Sequence, residues 1–149
     1  MMETTLNFEE LFNEWDKDSD LDKTRLDEES LKIPKLHHKY YRLFVAEKSR
    51  LRLLEGEMKK LKLDKTEFYS QGHNEETRAK GWKLPAKGVI IKSDVPMYVE
   101  ADADIIDLSL KIGIQQEKIE FLESIIKTLN NRGYNINTAV NFIKFMNGS

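Results

Sequence analysis

The chain of 149 residues has no cysteine, three prolines and seven glycines. Without cysteine it can form no disulfide, thiolate zinc site, iron–sulfur cluster or cysteine nucleophile. The glycines are scattered and build no phosphate-binding loop of the Walker type, so ATP hydrolysis is not expected. The longest purely aliphatic run, Val89-Ile90-Ile91, is far short of a bilayer span. The start, Met1-Met2-Glu3-Thr4-Thr5, has no basic or apolar stretch of the signal-peptide kind. A soluble, intracellular protein with no membrane partner is therefore expected.

Other chemistries fall away on spacing. His37 and His38 are adjacent, so on a helix they point about 100° apart and cannot chelate from one face. Asp16, Asp18, Asp20 and Asp22 alternate like calcium-loop ligands, but the sixth position is Leu21 or Lys23 where such a loop needs glycine. A solvated acidic linker is the expectation there. No serine sits in a nucleophile elbow. Neither an enzyme, a catalytic residue, a metal site nor a cofactor is expected.

What the sequence does have is charge, and it is segregated. The formal net charge is −2, from 26 acids and 24 bases. Residues 1–31 hold eleven acids and three bases, net −8. Residues 32–92 hold sixteen bases and seven acids, net +9. Residues 93–149 hold eight acids and five bases, net −3. Such blocks bear on partners and steering rather than on fold.

Apolar periodicity predicts helices. Phe8, Leu11, Phe12 and Trp15 share one helical face. Pro34 fits the first turn of a long helix to about Lys65. Along it Tyr40, Phe44, Leu51, Leu54, Met58 and Leu61 step by fours and threes, with Glu47 interrupting, a heptad seam. A second long helix from about Asp104 repeats the pattern through Leu108, Ile112, Ile119, Leu122, Ile126 and Leu129, with Gln115 interrupting. Gly133 is placed to end it, and Ile136, Val140, Ile143 and Met146 mark a short third helix. Between the long helices, Val89-Ile90-Ile91 and Met97-Tyr98-Val99 have the form of two short strands.

The expected fold is mainly α. It has two long antiparallel helices, a short C-terminal helix, and an irregular or small-hairpin connector. Apolar surface left over on Ile136, Val140, Phe142, Ile143, Phe145 and Met146 points to a helical-bundle homo-oligomer. Residues 1–33 read as an acidic N-terminal segment with a short amphipathic helix, and 34–149 as the helical binding and oligomerisation domain.

The basic middle carries the functional signal. Lys48, Arg52 and Lys59 line one flank of the first long helix. Lys59, Lys60, Lys62 and Lys65 crowd its end. Arg78, Lys80, Lys83, Lys87 and Lys92 follow with no acid between them. Phe68, Tyr69 and Trp82 are interleaved. Cations that neutralise phosphates and rings that stack on unpaired bases are what single-stranded nucleic acid needs. The same residues would also serve as a solvated face with its aromatics packed on the core. The acid-free run 78–92 favours binding.

Three landmarks then carry a resemblance. Pro34-Lys35-Leu36-His37-His38-Lys39-Tyr40-Tyr41 opens the first long helix, and Leu61-Lys62-Leu63-Asp64-Lys65-Thr66-Glu67-Phe68-Tyr69-Ser70-Gln71-Gly72 ends it. Asn131-Arg132-Gly133-Tyr134-Asn135-Ile136 precedes the C-terminal stretch. In these the sequence resembles the UvsY-type recombination mediators of large tailed phages. The resemblance implies a non-enzymatic, ring-like homo-oligomer in the host cytoplasm. It would bind single-stranded DNA and help load a phage recombinase onto DNA coated by single-stranded DNA-binding protein. It further implies DNA contacts at Lys62 and Lys65 before a turn at Tyr69, and assembly through residues 136–146. The wider candidate set is Lys59, Lys60, Lys62, Lys65, Tyr69, Arg78, Lys80, Trp82, Lys83 and Lys87. A coiled-coil assembly or chaperone-like protein, whose basic face binds an acidic protein, is the alternative.

Overall fold

The computed structural model describes residues 7–148. Five helices follow one another: α1 (Phe8–Ser19), α2 (Leu26–Gln71), α3 (Glu75–Ala79), α4 (Val95–Glu100) and α5 (Ala103–Met146). The fold is mainly α, with long helices packed together, and no strand occurs among the described residues. Contacts divide the chain into two units. One joins the chain up to Ser49 with the chain from Gln116 on; the other is the continuous segment Arg50–Gln115.

Three expected boundaries are corrected. The first long helix starts at Leu26, and Pro34 lies inside it. Asp27, Glu28 and Glu29 occupy its first turn, where carboxylates favour the helix dipole. The proline forfeits one backbone bond but does not set the start. The second long helix does not stop at Gly133, so there is no separate third helix. Arg132 and Ile136 are both buried and hold the backbone on either side of that glycine. A left-handed glycine does close the first long helix: Gly72, at φ 92° after α2, with its N–H on the Phe68 carbonyl at 2.9 Å. Finally, the expected second strand is helix α4. Pro96 suits its first turn, and Val95 and Val99, one turn apart, are both buried.

The seam residues behave as their spacing predicts. Tyr40, Ile119, Leu122 and Leu129 are buried, and Phe44, Leu51, Leu54, Met58 and Leu61 are half-buried. The polar interruptions Glu47 and Gln115 are also buried, and neither is unpartnered.

In the first unit α1 is an integral layer. Asn7 caps it reciprocally with Glu10, each side chain taking the other's backbone N–H at 2.9 Å. Leu11 enters a core with Tyr40, Leu122, Ile125 and Leu129. The Trp15 ring meets Tyr40 edge-on at 5.4 Å, and Phe12 meets Phe121 at 4.9 Å. The acidic run from Asp16 is therefore only partly a linker. Asp18 accepts from the Lys39 ammonium at 2.6 Å and the Tyr40 hydroxyl at 2.7 Å. Burial alone would raise the Asp18 carboxyl; Lys39 and Tyr40 outweigh it and hold it low. Burial and the Asp18 charge push the Tyr40 hydroxyl well above its ordinary value.

The end of α1 is held by α5. The Arg132 guanidinium donates to the carbonyls of Asp18 at 3.0 Å and Ser19 at 3.3 Å. These are carbonyls that a helix end leaves without internal partners. Arg132→Ala is expected to lower stability by about 1–3 kcal/mol, the cost of orphaning such groups. Arg132→Lys should recover little, because an ammonium lacks the guanidinium fork. Urea unfolding measures both, and an unchanged midpoint for Arg132→Ala would refute the role.

Candidate nucleic-acid interface

The second unit gathers most of the sequence-expected contacts. The end of α2 brings Lys65, Phe68 and Tyr69 onto its inner face at helical spacing. The connector returns over them: the Ile90 N–H donates to the Tyr69 carbonyl at 2.8 Å. Phe68, Tyr69, Ile90, Val95, Val99 and Ile105 form the core, with Trp82, Leu84 and Tyr98 packed against it.

One carboxylate ties these elements together. Asp102 Oδ1 accepts the backbone N–H groups of Asp104 at 2.9 Å and Ile105 at 3.2 Å, capping the start of α5. Its Oδ2 accepts the Tyr69 hydroxyl at 2.6 Å and lies 3.1 Å from the Lys65 ammonium. Lys65 also donates to Asp104 at 2.8 Å and lies 3.8 Å from the Trp82 ring centroid. Burial alone would raise the Asp102 carboxyl, but Tyr69, Lys65 and the Ile105 N–H together hold it below the usual range. Burial, then the bond to Asp102, pushes the Tyr69 hydroxyl well up.

The outer surface is different. Lys59, Lys60, Lys62, Arg78, Lys83 and Lys87 are exposed. Among the described residues Lys59, Lys60 and Lys62 make no ion pair, so their charge is available. Lys80 is paired with Glu76 at 3.1 Å and lies 5.1 Å from the Trp82 centroid. Lys87 lies 5.3 Å from the Tyr98 centroid. No group of histidines and carboxylates among the described residues is arranged to hold a metal, and no helix is long and apolar enough to cross a membrane.

The family model described as "Recombination, repair and ssDNA binding protein UvsY" matches residues 14–149. The chain belongs to the UvsY family. Three crystal structures of the bacteriophage T4 recombination mediator protein UvsY share its fold. Lattice type IV aligns at 18% identity and a TM-score of 0.75, covering 95% of this chain and 99% of that one. Lattice type II aligns at 20% and 0.76, covering 95% and 98%. Lattice type I aligns at 19% and 0.75, covering 91% and 98%. No curated protein sequence matches.

In this UvsY-family chain the expected site residues divide. Lys62 is exposed, whereas Lys65 is only 3% exposed and committed to Asp102 and Asp104. Tyr69 and Phe68 belong to the core, and Trp82 is half-buried against Phe68 at 5.3 Å. The aromatics expected to stack on bases are thus occupied by packing. Of the residues expected to mediate assembly, Ile136 is buried within its own unit and Val140 half-buried, while Phe142, Ile143, Phe145 and Met146 are exposed. Sequence reasoning misses Asp102, because its link to Lys65 and Tyr69, over thirty residues earlier, leaves no local signal.

Asp102→Asn should cost about 2–3 kcal/mol at pH 7, since it removes a buried charge from a lysine and a tyrosine. A carboxyl lowered on folding adds stability that is complete above its unfolded value of about 3.9 and is lost as pH falls through its folded value. The gap between wild type and Asp102→Asn in denaturant unfolding should therefore narrow from pH 7 to pH 3. A constant gap would contradict the ionic role of Asp102.

Proposed function

We propose that this chain is a single-stranded DNA-binding recombination mediator, not an enzyme, acting in recombination and repair. It would help load a phage recombinase onto DNA covered by single-stranded DNA-binding protein, in the host cytoplasm. The observation that carries this reading is the UvsY family match over residues 14–149. The unpaired exposed lysines at 59, 60 and 62 supply the matching electrostatics. Exposed Arg78, Lys83 and Lys87, with Lys80, extend the basic set along the connector. Lys65, Tyr69 and Trp82 act in this proposal by positioning α2 and the connector rather than by touching DNA.

The proposal includes a ring-like homo-oligomer. Phe142, Phe145 and Met146 lie between 62% and 78% exposed, too much apolar surface for a free helix end. A ring repeats a modest basic site and sums its phosphate contacts, giving avidity without a strong site on any one copy. The antiparallel course of α2 and α5 also belongs to this reading. It is supported within the second unit by α5 beginning where Lys65 meets Asp104.

Lys59→Ala/Lys60→Ala/Lys62→Ala should weaken binding to labelled oligonucleotides. It should also flatten the salt dependence by about 2 in log–log slope, at about 0.7 per lost single-strand phosphate contact. Fluorescence anisotropy across salt reads both. No salt-sensitive binding by the wild type at micromolar protein would sink the mediator reading and favour the coiled-coil assembly alternative. Phe142→Ser/Phe145→Ser should shrink the particle in light scattering while leaving helicity unchanged. An intact oligomer would rule out assembly through this surface.

A further inference from the structure

Two tyrosines stand side by side on α2 and have opposite environments. Tyr40 is buried, with its hydroxyl bonded to Asp18. Tyr41 is 50% exposed, and no hydrogen bond engages its hydroxyl among the described residues. Its ring lies nearly parallel to that of His37, with 5.9 Å between centroids and 11° between planes. Phe44 follows at 6.1 Å, and the Lys48 ammonium lies 5.0 Å from the Phe44 centroid. These positions recur at helical spacing, so the row runs along one side of α2 within the first unit.

The stretch of α2 that carries this row is rich in bases. From Ser30 to Leu54 the chain has seven bases and one acid, and that acid, Glu47, is buried. Lys39 is taken up by Glu14 and Asp18. Among the described residues Lys48 is exposed with no ion pair, whereas Lys35 and Arg42 line a groove with Glu10 and Glu14 on another side of α2. An exposed tyrosine ring, backed by a half-buried histidine and bordered by Lys48, suits a strand with phosphates on one edge and unpaired bases on the other. An acidic protein would use the cations but leave the parallel rings without a purpose. Duplex DNA has no free base face to offer them.

We propose that His37 and Tyr41 form a base-stacking platform for single-stranded DNA, flanked by Lys48 as a phosphate contact. This platform rests on the single-stranded DNA-binding reading above and adds a second contact region, distinct from Lys59, Lys60 and Lys62. It supplies the stacking that Phe68, Tyr69 and Trp82, held by the core, do not.

The test compares full-length wild type, Tyr41→Ala and Tyr41→Phe on two labelled oligonucleotides of equal length, one of thymidines and one abasic. Tyr41→Ala should bind the thymidine strand at least about fivefold more weakly. It should match wild type on the abasic strand, and the salt slope should not change. Tyr41→Phe should bind as wild type does. Equal binding of thymidine by wild type and Tyr41→Ala overturns the platform, as does an equal loss on both strands. A changed particle mass for Tyr41→Ala in light scattering would instead assign the face to contact between copies. Failure of the wild type to bind either strand overturns the DNA-binding reading itself, a result separable from these.

Discussion

The Asp102 carboxylate closes three structural requirements at once. The start of α5 needs an acceptor for its first N–H groups, the buried Lys65 needs a counter-charge, and the buried Tyr69 hydroxyl needs a partner. One side chain meets all three. Each bond stabilises the others, because every group kept out of water raises the cost of losing the remaining partners. The connector can then lie across the end of α2, with Ile90 bonded to Tyr69 and Trp82 packed against Phe68. Among the described residues no buried polar side-chain atom is left without a partner.

This arrangement divides the basic middle into two populations with different work. Lys65 contributes a charge that the fold consumes, while Lys59, Lys60 and Lys62, less than two turns earlier on the same helix, contribute charge to the surface. Helical phase makes the difference, since Lys65 shares the inward face with Phe68 and Tyr69. The basic residues before the turn at Tyr69 therefore combine a scaffold element with a surface element. Net charge by segment counts both alike.

The long helices and their inward faces were legible in the sequence because fours-and-threes spacing is a local signal that packing enforces. Tyr40, Leu122 and Leu129 are buried where that spacing puts them. Boundaries were less legible. Pro34 and Gly133 carry strong local tendencies, yet Arg132 and Ile136 are anchored on both sides of Gly133, and that anchoring prevails. The candidate site was half legible. Lysine counts revealed a basic region, but burial, which removed Lys65, Tyr69 and Phe68 from the surface, depends on Asp102, Ile90 and Ile105 far away in the chain. Tyr41 is illegible in the sequence for a related reason. Adjacent tyrosines look alike in sequence, and only the packing of α1 onto one of them tells them apart.

The two units differ in how their parts are drawn from the chain. The unit of residues 50–115 is a continuous stretch, whereas the other joins the region up to Ser49 to the region from Gln116 on. Arg132 reaches back to Asp18 across 114 positions. During synthesis the continuous unit can close as soon as its own residues have emerged. Helix α1 must wait for α5 to supply Leu122, Ile125, Leu129 and Arg132. Until then Leu11, Trp15 and Tyr40 lack their covering, so the apolar surface of the first unit is exposed longest on the nascent chain.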